Sequence, residues 1–400
     1  MILPPSTLGM LGGGQLARFF VIAAHEMGYK VVVLDPDKMS PAGLLADKHL
    51  CAAFDDVNAL NEMVHTCAAV TTEFENVPAS TLAVLNNRVS MHPSASAVAI
   101  CQHRIMEKNF LRDHNFPHVP YAVISYEKDI PANDSGLYPG ILKVARFGYD
   151  GKGQVRVATA YEVLTAFKTF DFQQCILESR LSLDYEISVV LARDLVGNIA
   201  AFPTIENAHC NGILDVSIAP ARCSVEINEQ AQKLARRVAE KLGYVGTLGV
   251  EFFVSEGILY VNEMSPRPHN SGHFTIDACV TNQFEQQVRA LCGLPLGDTR
   301  QHSNAVMVNL LGDVWRGDSE PDWRVLFSQS GLKLHLYGKH EARPGRKMGH
   351  YTVVGNEAEE VLKSAMNARL AIGIVKPKSS EVNNSGVLLA QINAYEESSY

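Results

Sequence analysis

Two acidic residues and a basic, proline-braced loop crowd into one short stretch of this chain. Glu251 lies in Gly246-Thr247-Leu248-Gly249-Val250-Glu251-Phe252-Phe253-Val254, an apolar, β-branched run that predicts a buried strand. Gly257 marks a turn, and Ile258-Leu259-Tyr260-Val261 predicts the returning strand. Such a hairpin brings Glu251 near Glu263. With the amide oxygen of Asn262 they form a hard oxygen cluster suited to Mg²⁺ shared with the phosphates of a nucleotide. Arg267, His269, Asn270 and His273 follow at once, with Pro266, Pro268 and Gly272 bracing the backbone. Cations and donors beside a metal suit an anionic intermediate. A strand end with solvated charges accounts for one or two of these residues, not for the whole series.

The elements that must position this cluster are those of a large soluble chain. Four hundred residues predict two or three domains. The composition, 46% hydrophobic and 20% charged, is that of a globular protein. The net charge of −8 argues against general nucleic-acid binding. No apolar run is long enough to span a membrane, and no secretory signal is visible. The eight cysteines never form CxxC pairs and read as reduced, mostly buried residues of a cytoplasmic protein.

Ser6 to Leu11 predicts a strand, Gly12-Gly13-Gly14-Gln15-Leu16 a glycine-rich turn, residues 17–27 a helix and residues 29–35 a second strand. Amides at a helix start can hold a phosphate. Gly9, Gly12 and Gly14 match the dinucleotide fingerprint only loosely, so the local sequence favours a plain tight turn over a nucleotide site. Glu73 and Glu75 end another strand, where one of them can face a ligand or both can sit in an exposed turn before Pro78. Ser94 caps a helix expected to run through His103 and Arg104 to His114. Lys143 sits in the strand of residues 139–144. Gly148-Tyr149-Asp150-Gly151-Lys152-Gly153-Gln154 follows it, a mobile hairpin tip able to fold over phosphates. Cys175 to Leu181 predicts a strand leading into a linker, with Glu178 placed for a ribose. Residues 206–209 read as a polar turn and His209 as a surface histidine. Asn228 is expected to start a helix closed by Gly243, with Lys233, Arg236, Arg237 and Lys241 on its solvated face. Residues 305–312 and 332–337 predict strands, and Asn356 the cap of a helix over 357–371. The basic tract from Gly338 to His350 suggests an anionic ligand, and the polar tail after residue 375 reads as loosely ordered.

Together these segments resemble the ATP-grasp superfamily, and within it the 5-(carboxyamino)imidazole ribonucleotide synthetases. The matching stretches are Leu8 to Leu16, Thr72-Glu73-Phe74-Glu75-Asn76-Val77, Phe147 to Gln154, Val261 to His273 and Arg343-Pro344-Gly345-Arg346-Lys347-Met348-Gly349-His350. The resemblance implies an α/β fold with three parts. These are a doubly wound N-terminal domain (1–95), an ATP-grasp domain with its lid (96–297) and a small β-rich C-terminal domain (298–375), followed by the tail (376–400). It implies ATP- and bicarbonate-dependent carboxylation of 5-aminoimidazole ribonucleotide through carboxyphosphate, with Mg²⁺, in a homodimer. By that resemblance ATP falls on Arg104, Lys143, Gly148 through Gln154, Glu178, Ser179, Arg180, Leu181, Glu186, His209, Asn262 and Glu263. The metal falls on Glu251 and Glu263. Arg267, His269, Asn270 and Lys347 belong to the bicarbonate and carboxyphosphate site. The ribonucleotide spans Gly14, Gln15, Leu16, Glu75, Tyr149, Asp150, Lys339 and Arg346, with its phosphate expected on the glycine turn. Formate-dependent glycinamide ribonucleotide transformylases and biotin carboxylases share the architecture, although the tract from Arg343 to His350 favours the imidazole enzyme. An NAD-binding regulatory protein using Gly12 to Gly14 and Asp35 is the alternative from another class.

Overall fold

The computed structural model describes residues 1–74, 76–146, 153–315 and 319–374. Its first sheet is parallel, in the order Lys48–Leu50, Lys30–Leu34, Thr7–Leu11, Ala69–Thr72, Ser90–Met91. The strand order reverses between Thr7–Leu11 and Ala69–Thr72. That reversal opens a crevice at their carboxyl ends, where Gly12 to Gly14 and Glu73 emerge. Helix Gln15–Glu26 starts there and buries Ala17, Phe20, Val21 and Ala24 on one face.

A four-stranded antiparallel sheet forms the lid, in the order Tyr121–Ile124, Cys175–Ser179, Gly140–Val144, Gln154–Val157. Helix Ala160–Thr169 covers it through Val163 and Phe167. The large sheet runs Ile258–Ser265, Gly246–Ser255, Tyr185–Arg193, Ile205–Cys210, Ile213–Ala219, Asn304–Leu311, Lys347–Gly355, Leu332–Leu336, with Ile199–Ala201 paired to Tyr185–Arg193. The C-terminal strands therefore continue the central sheet, with Val216 opposite Val308. Strand Tyr185–Arg193 is buried on both faces, Ile187, Val189 and Leu191 in one core and Val190 in another.

Helix Gln283–Cys292 locks the first sheet to the large one. Phe284, Val288 and Leu291 pack with Phe19 and Phe20. The Gln287 side chain accepts from Thr247 N at 2.5 Å and donates to Thr71 Oγ1 at 2.7 Å.

Several local expectations are corrected. The stretch from Ser94 to His114 is two helices, Ala95–Cys101 and Arg104–Asp113, broken where His103 turns extended. Arg104 therefore opens the second helix. Residues 206–209 form strand Ile205–Cys210, because both neighbours in the sheet supply ladder partners. Helix Val225–Lys241 starts at Ser224, whose hydroxyl accepts from Ile227 N; the Asn228 side chain instead accepts from Thr204 Oγ1 at 2.6 Å. Gly243 does adopt the left-handed conformation after it. Lys233 and Lys241 are exposed, but Arg237 lies over the Phe116 ring, and Arg236 donates to the Ile199 carbonyl. Helix Ala358–Ala371 has no side-chain cap; Asn356 instead accepts from Asn304 through its carbonyl. The tail after residue 375 lies outside the described residues.

Candidate active site

The hairpin forms as its sequence demands. Glu251 and Glu263 are direct cross-strand partners, next to a register shift between Glu251 and Phe252. Burial pushes the Glu251 carboxyl up, but the His269 ring, whose Nε2 is 3.1 Å away, and the nearby positive charges hold it below the usual range. Glu263 has Arg104 at 3.6 Å. Behind it Glu107 accepts from Met264 N at 2.6 Å. Burial and then the Glu263 charge lift Glu107 to about 8. Two carboxylates on adjacent strands, facing a cleft lined with lysine and arginine, are a donor set that fits a divalent ion with oxygen ligands.

Beside the hairpin lies a buried charge cluster. Glu178 takes Lys143 at 2.5 Å on one oxygen and Lys108 at 3.2 Å on the other. Burial opposes the charge on Glu178, yet the two lysines outweigh it and hold the carboxyl far below its ordinary value. Lys108 also donates to the Asn262 carbonyl at 3.0 Å, tying the helix, the lid strand and the metal-type hairpin together. Sequence reasoning missed both Lys108 and Glu107. Their signal was faint: two charged residues on the inner face of an amphipathic helix. The amides of Ser179 and Arg180 donate to Pro120 and Pro139, which fixes the segment running on to Leu181 along the cleft. His209 is no surface residue: its Nδ1 is 2.7 Å from Glu186. Burial works against charging it, but Glu186 overcomes that and lifts the imidazole to about 9.

The loop after the hairpin divides its residues. Arg267, His269 and Asn270 line the cleft. The Gln283 side chain brackets His269, accepting from its N and donating to its O, both at 2.8 Å. Gly249 makes room: a Cβ there would stand 2.8 Å from His269 Cβ. Asn270 exchanges two hydrogen bonds with Asn309, at 3.1 and 2.8 Å. Asn309 belongs to a C-terminal strand, so only the folded sheet could reveal it. His273, expected among the site donors, is buried elsewhere. The 3₁₀ turn Asn270–Phe274 swings it into a stack with His350 and, beyond that, His335, at successive centroid distances of 4.7 Å. Asp277, His335 and His350 offer ligand atoms within 4.8 Å of one another. The rings of His335 and His350 lie face to face at 23°, however, so their in-plane lone pairs run side by side and do not converge on one ion.

The glycine turn is already engaged. Asp35 accepts from Gly13 N at 2.7 Å, and Glu73 accepts from Gly14 N at 2.8 Å and Ala17 N at 3.3 Å. A Cβ on Gly14 would stand 2.7 Å from Glu73 Oε1, which explains the glycine. Burial raises the Glu73 carboxyl despite these amides. Across from it, Lys339 donates to the Lys347 carbonyl at 2.7 Å. Arg346 donates to the Glu341 carbonyl at 2.7 Å. Gly14, Gln15, Leu16, Lys339, Arg346 and Lys347 line the same cleft, of about 1310 Å³, as Arg104, Lys143, Gln154, Glu178, Glu186 and the hairpin. Gly153 does not line it and accepts from Val144 N. Glu75 and residues 148–152 lie outside the described residues.

The comparisons agree with this geometry. The ribonucleotide synthetase preATP-grasp domain matches residues 6–102 and the ATP-grasp domain residues 109–284. The phosphoribosylaminoimidazole carboxylase C-terminal domain matches residues 305–364. The N5-carboxyaminoimidazole ribonucleotide synthase of Brucella melitensis is 44% identical, over 87% of this chain and 96% of its own. An N5-carboxyaminoimidazole ribonucleotide synthetase solved with ADP is 39% identical, at a TM-score of 0.86 over 92% of this chain and 98% of that one. The Aspergillus clavatus synthase solved with ADP and 5-aminoimidazole ribonucleotide is 28% identical, at a TM-score of 0.83 over 93% of this chain and 100% of that one. With three domain models matched in order along it and 44% identity to a curated relative over 87% of its length, the chain belongs to the N5-carboxyaminoimidazole ribonucleotide synthases of the ATP-grasp superfamily.

Proposed function

We propose that this chain carboxylates 5-aminoimidazole ribonucleotide at its exocyclic amine, using ATP and bicarbonate. The carrying observation is the single cleft in which the Glu251–Glu263 pair, the Arg267 loop and the cations Lys339 and Arg346 meet. A bicarbonate oxygen attacks the γ-phosphorus of ATP, giving carboxyphosphate and ADP. The carboxyl group then passes to the amine, which loses a proton, and phosphate leaves. A bound Mg²⁺ would spread the charge of the transferring phosphoryl group. Glu251 and Glu263 are the residues to hold it, beside Asn262. Lys143, Arg104 and His209, with Glu186 keeping His209 protonated, face the nucleotide phosphates. Arg267 grips the carboxylate end of the intermediate bidentately, and His269, Asn270 and Lys347 add donors. Lys339 and Arg346, in place of the glycine turn, take the phosphate of the ribonucleotide, since Asp35 occupies the Gly13 amide and Glu73 the Gly14 amide. The reading also includes division after residues 95 and 297, a homodimer and a cytoplasmic setting.

The test is phosphate release from ATP with Mg²⁺ and bicarbonate, with and without 5-aminoimidazole ribonucleotide. Strong stimulation by that nucleotide supports the proposal. Stimulation by glycinamide ribonucleotide with formate would move the substrate to the transformylase reaction, and no turnover with either would overturn the catalytic reading.

A further inference from the structure

We propose that Ser188, Asn207 and Ser217 are positioning residues that hold His269, through Ser271, as the Nε2–H tautomer, so that His269 meets the reacting oxyanion as a hydrogen-bond donor. The proposal rests on His269 belonging to the bicarbonate site.

The residues form one buried chain across three neighbouring strands. Ser188 lies on Tyr185–Arg193, Asn207 on Ile205–Cys210, and Ser217, the register partner of Asn207, on Ile213–Ala219. All are at most 2% exposed, and Ser271 is fully buried. In such a place the single proton of each hydroxyl must find an acceptor, which gives the chain a definite direction.

The direction follows from the donors. Ser217 Oγ donates to Asn207 Oδ1 at 2.8 Å, and Asn207 Nδ2 donates to Ser188 Oγ at 2.8 Å. Ser188 therefore turns its own proton to Ser271 Oγ, 2.8 Å away. Ser271 Oγ, already accepting, turns its proton to His269 Nδ1 at 2.8 Å. A second, independent donor agrees: the Ser271 backbone N–H, which cannot reverse, donates to the same Nδ1 at 3.3 Å. Two donors on Nδ1 leave the ring proton on Nε2, which faces Glu251 Oε1 at 3.1 Å. The outward nitrogen thus donates. It orients the Glu251 carboxylate and can serve a neighbouring oxyanion, but it has no lone pair to take a proton.

Asn207→Asp tests the polarity with almost no change of shape. An aspartate at 207 cannot donate to Ser188, so Ser188 turns its proton back to it and accepts from Ser271. Nδ1 then loses its hydroxyl donor. The expected result is a kcat lower by about tenfold or more, with a raised KM for bicarbonate. The KM for ATP should stay within about twofold. The tautomer is also read directly in the wild-type protein labelled with ¹⁵N-histidine, the His269 signals being identified by their loss in His269→Asn. The Nε2–H form is expected. A ring protonated at Nδ1 alone, or an Asn207→Asp protein with wild-type kcat and bicarbonate KM, overturns the proposal. If Asn207→Asp does not fold, the wild-type tautomer decides. Full activity in His269→Asn would instead remove His269 from the site, a distinct failure.

Discussion

At Glu178 one carboxylate faces two buried ammonium groups, and the three charges stand or fall together. Removing one partner from such a cluster costs far more than an exposed pair, because the remaining charges lose their compensation in a low dielectric. Lys108→Met should destabilise the protein by roughly 3 kcal/mol, read from the urea midpoint. It should also raise the KM for ATP, since Lys108 holds both Glu178 and the Asn262 carbonyl. A variant with unchanged midpoint and KM would show that Lys143 alone suffices for Glu178. Glu263→Gln keeps the shape of the hairpin but removes the charge. Phosphate release is expected to vanish, and near-normal release would take Glu263 out of the site.

At the scale of elements, the sheet places the site and caps set its edges. Ser224→Ala should cost about 1 kcal/mol, the worth of an N-terminal cap, while Asn228→Ala leaves the helix start intact and removes only the bond from Thr204. Equal losses in thermal unfolding would contradict that assignment. The C-terminal strand Asn304–Leu311 reaches the site through Asn309. Asn309→Leu is expected to lower kcat by about tenfold with little change in the KM for ATP, because Asn270 loses both bonds that orient its amide. A rise in the KM for ATP alone would place Asn270 with the nucleotide instead.

Across the whole molecule, the three parts meet around a histidine stack. Phe19 comes from the first part, His273 and Phe284 from the second, His335, Tyr337 and His350 from the third. Burial holds His273 and His350 well below their ordinary value. A group whose folded-state affinity for protons is depressed takes up protons more readily when unfolded, so stability is full above about pH 6.5 and declines as pH falls below it. The urea midpoint should drop on acidification, and His350→Phe should flatten that slope. An equal slope in the variant would assign the acid sensitivity to other groups. Lys339 lines the cleft from the third part, and Lys339→Ala should raise the KM for the ribonucleotide more than that for ATP. The reverse would reject the C-terminal part as the ribonucleotide side.

The sequence by itself determined whatever depends on neighbours along the chain. The alternation and the turn at Gly257 put Glu251 opposite Glu263, and the βαβ pattern placed the glycine turn at the crevice. Hard carboxylate pairs, glycine turns and basic tracts carry their chemistry in type and spacing, so the hairpin, the Arg267 loop and the basic tract were legible as parts of one site, whereas Arg104, His209 and Lys347 came from the resemblance alone; described residues from each of these line the cleft. Tertiary structure decided direction and partnership. It turned His273 inward while His269 and Asn270 faced the cleft, because a 3₁₀ turn reverses the chain within a few residues. It made residues 206–209 a strand, since neighbouring strands supplied the ladder, and it gave the Gly13 and Gly14 amides to Asp35 and Glu73. Lys108, Glu107, Asn309 and the chain from Ser217 to His269 stayed hidden for the same physical reason. A buried polar group is defined by what it meets across the fold, and those contacts join residues that no local pattern relates.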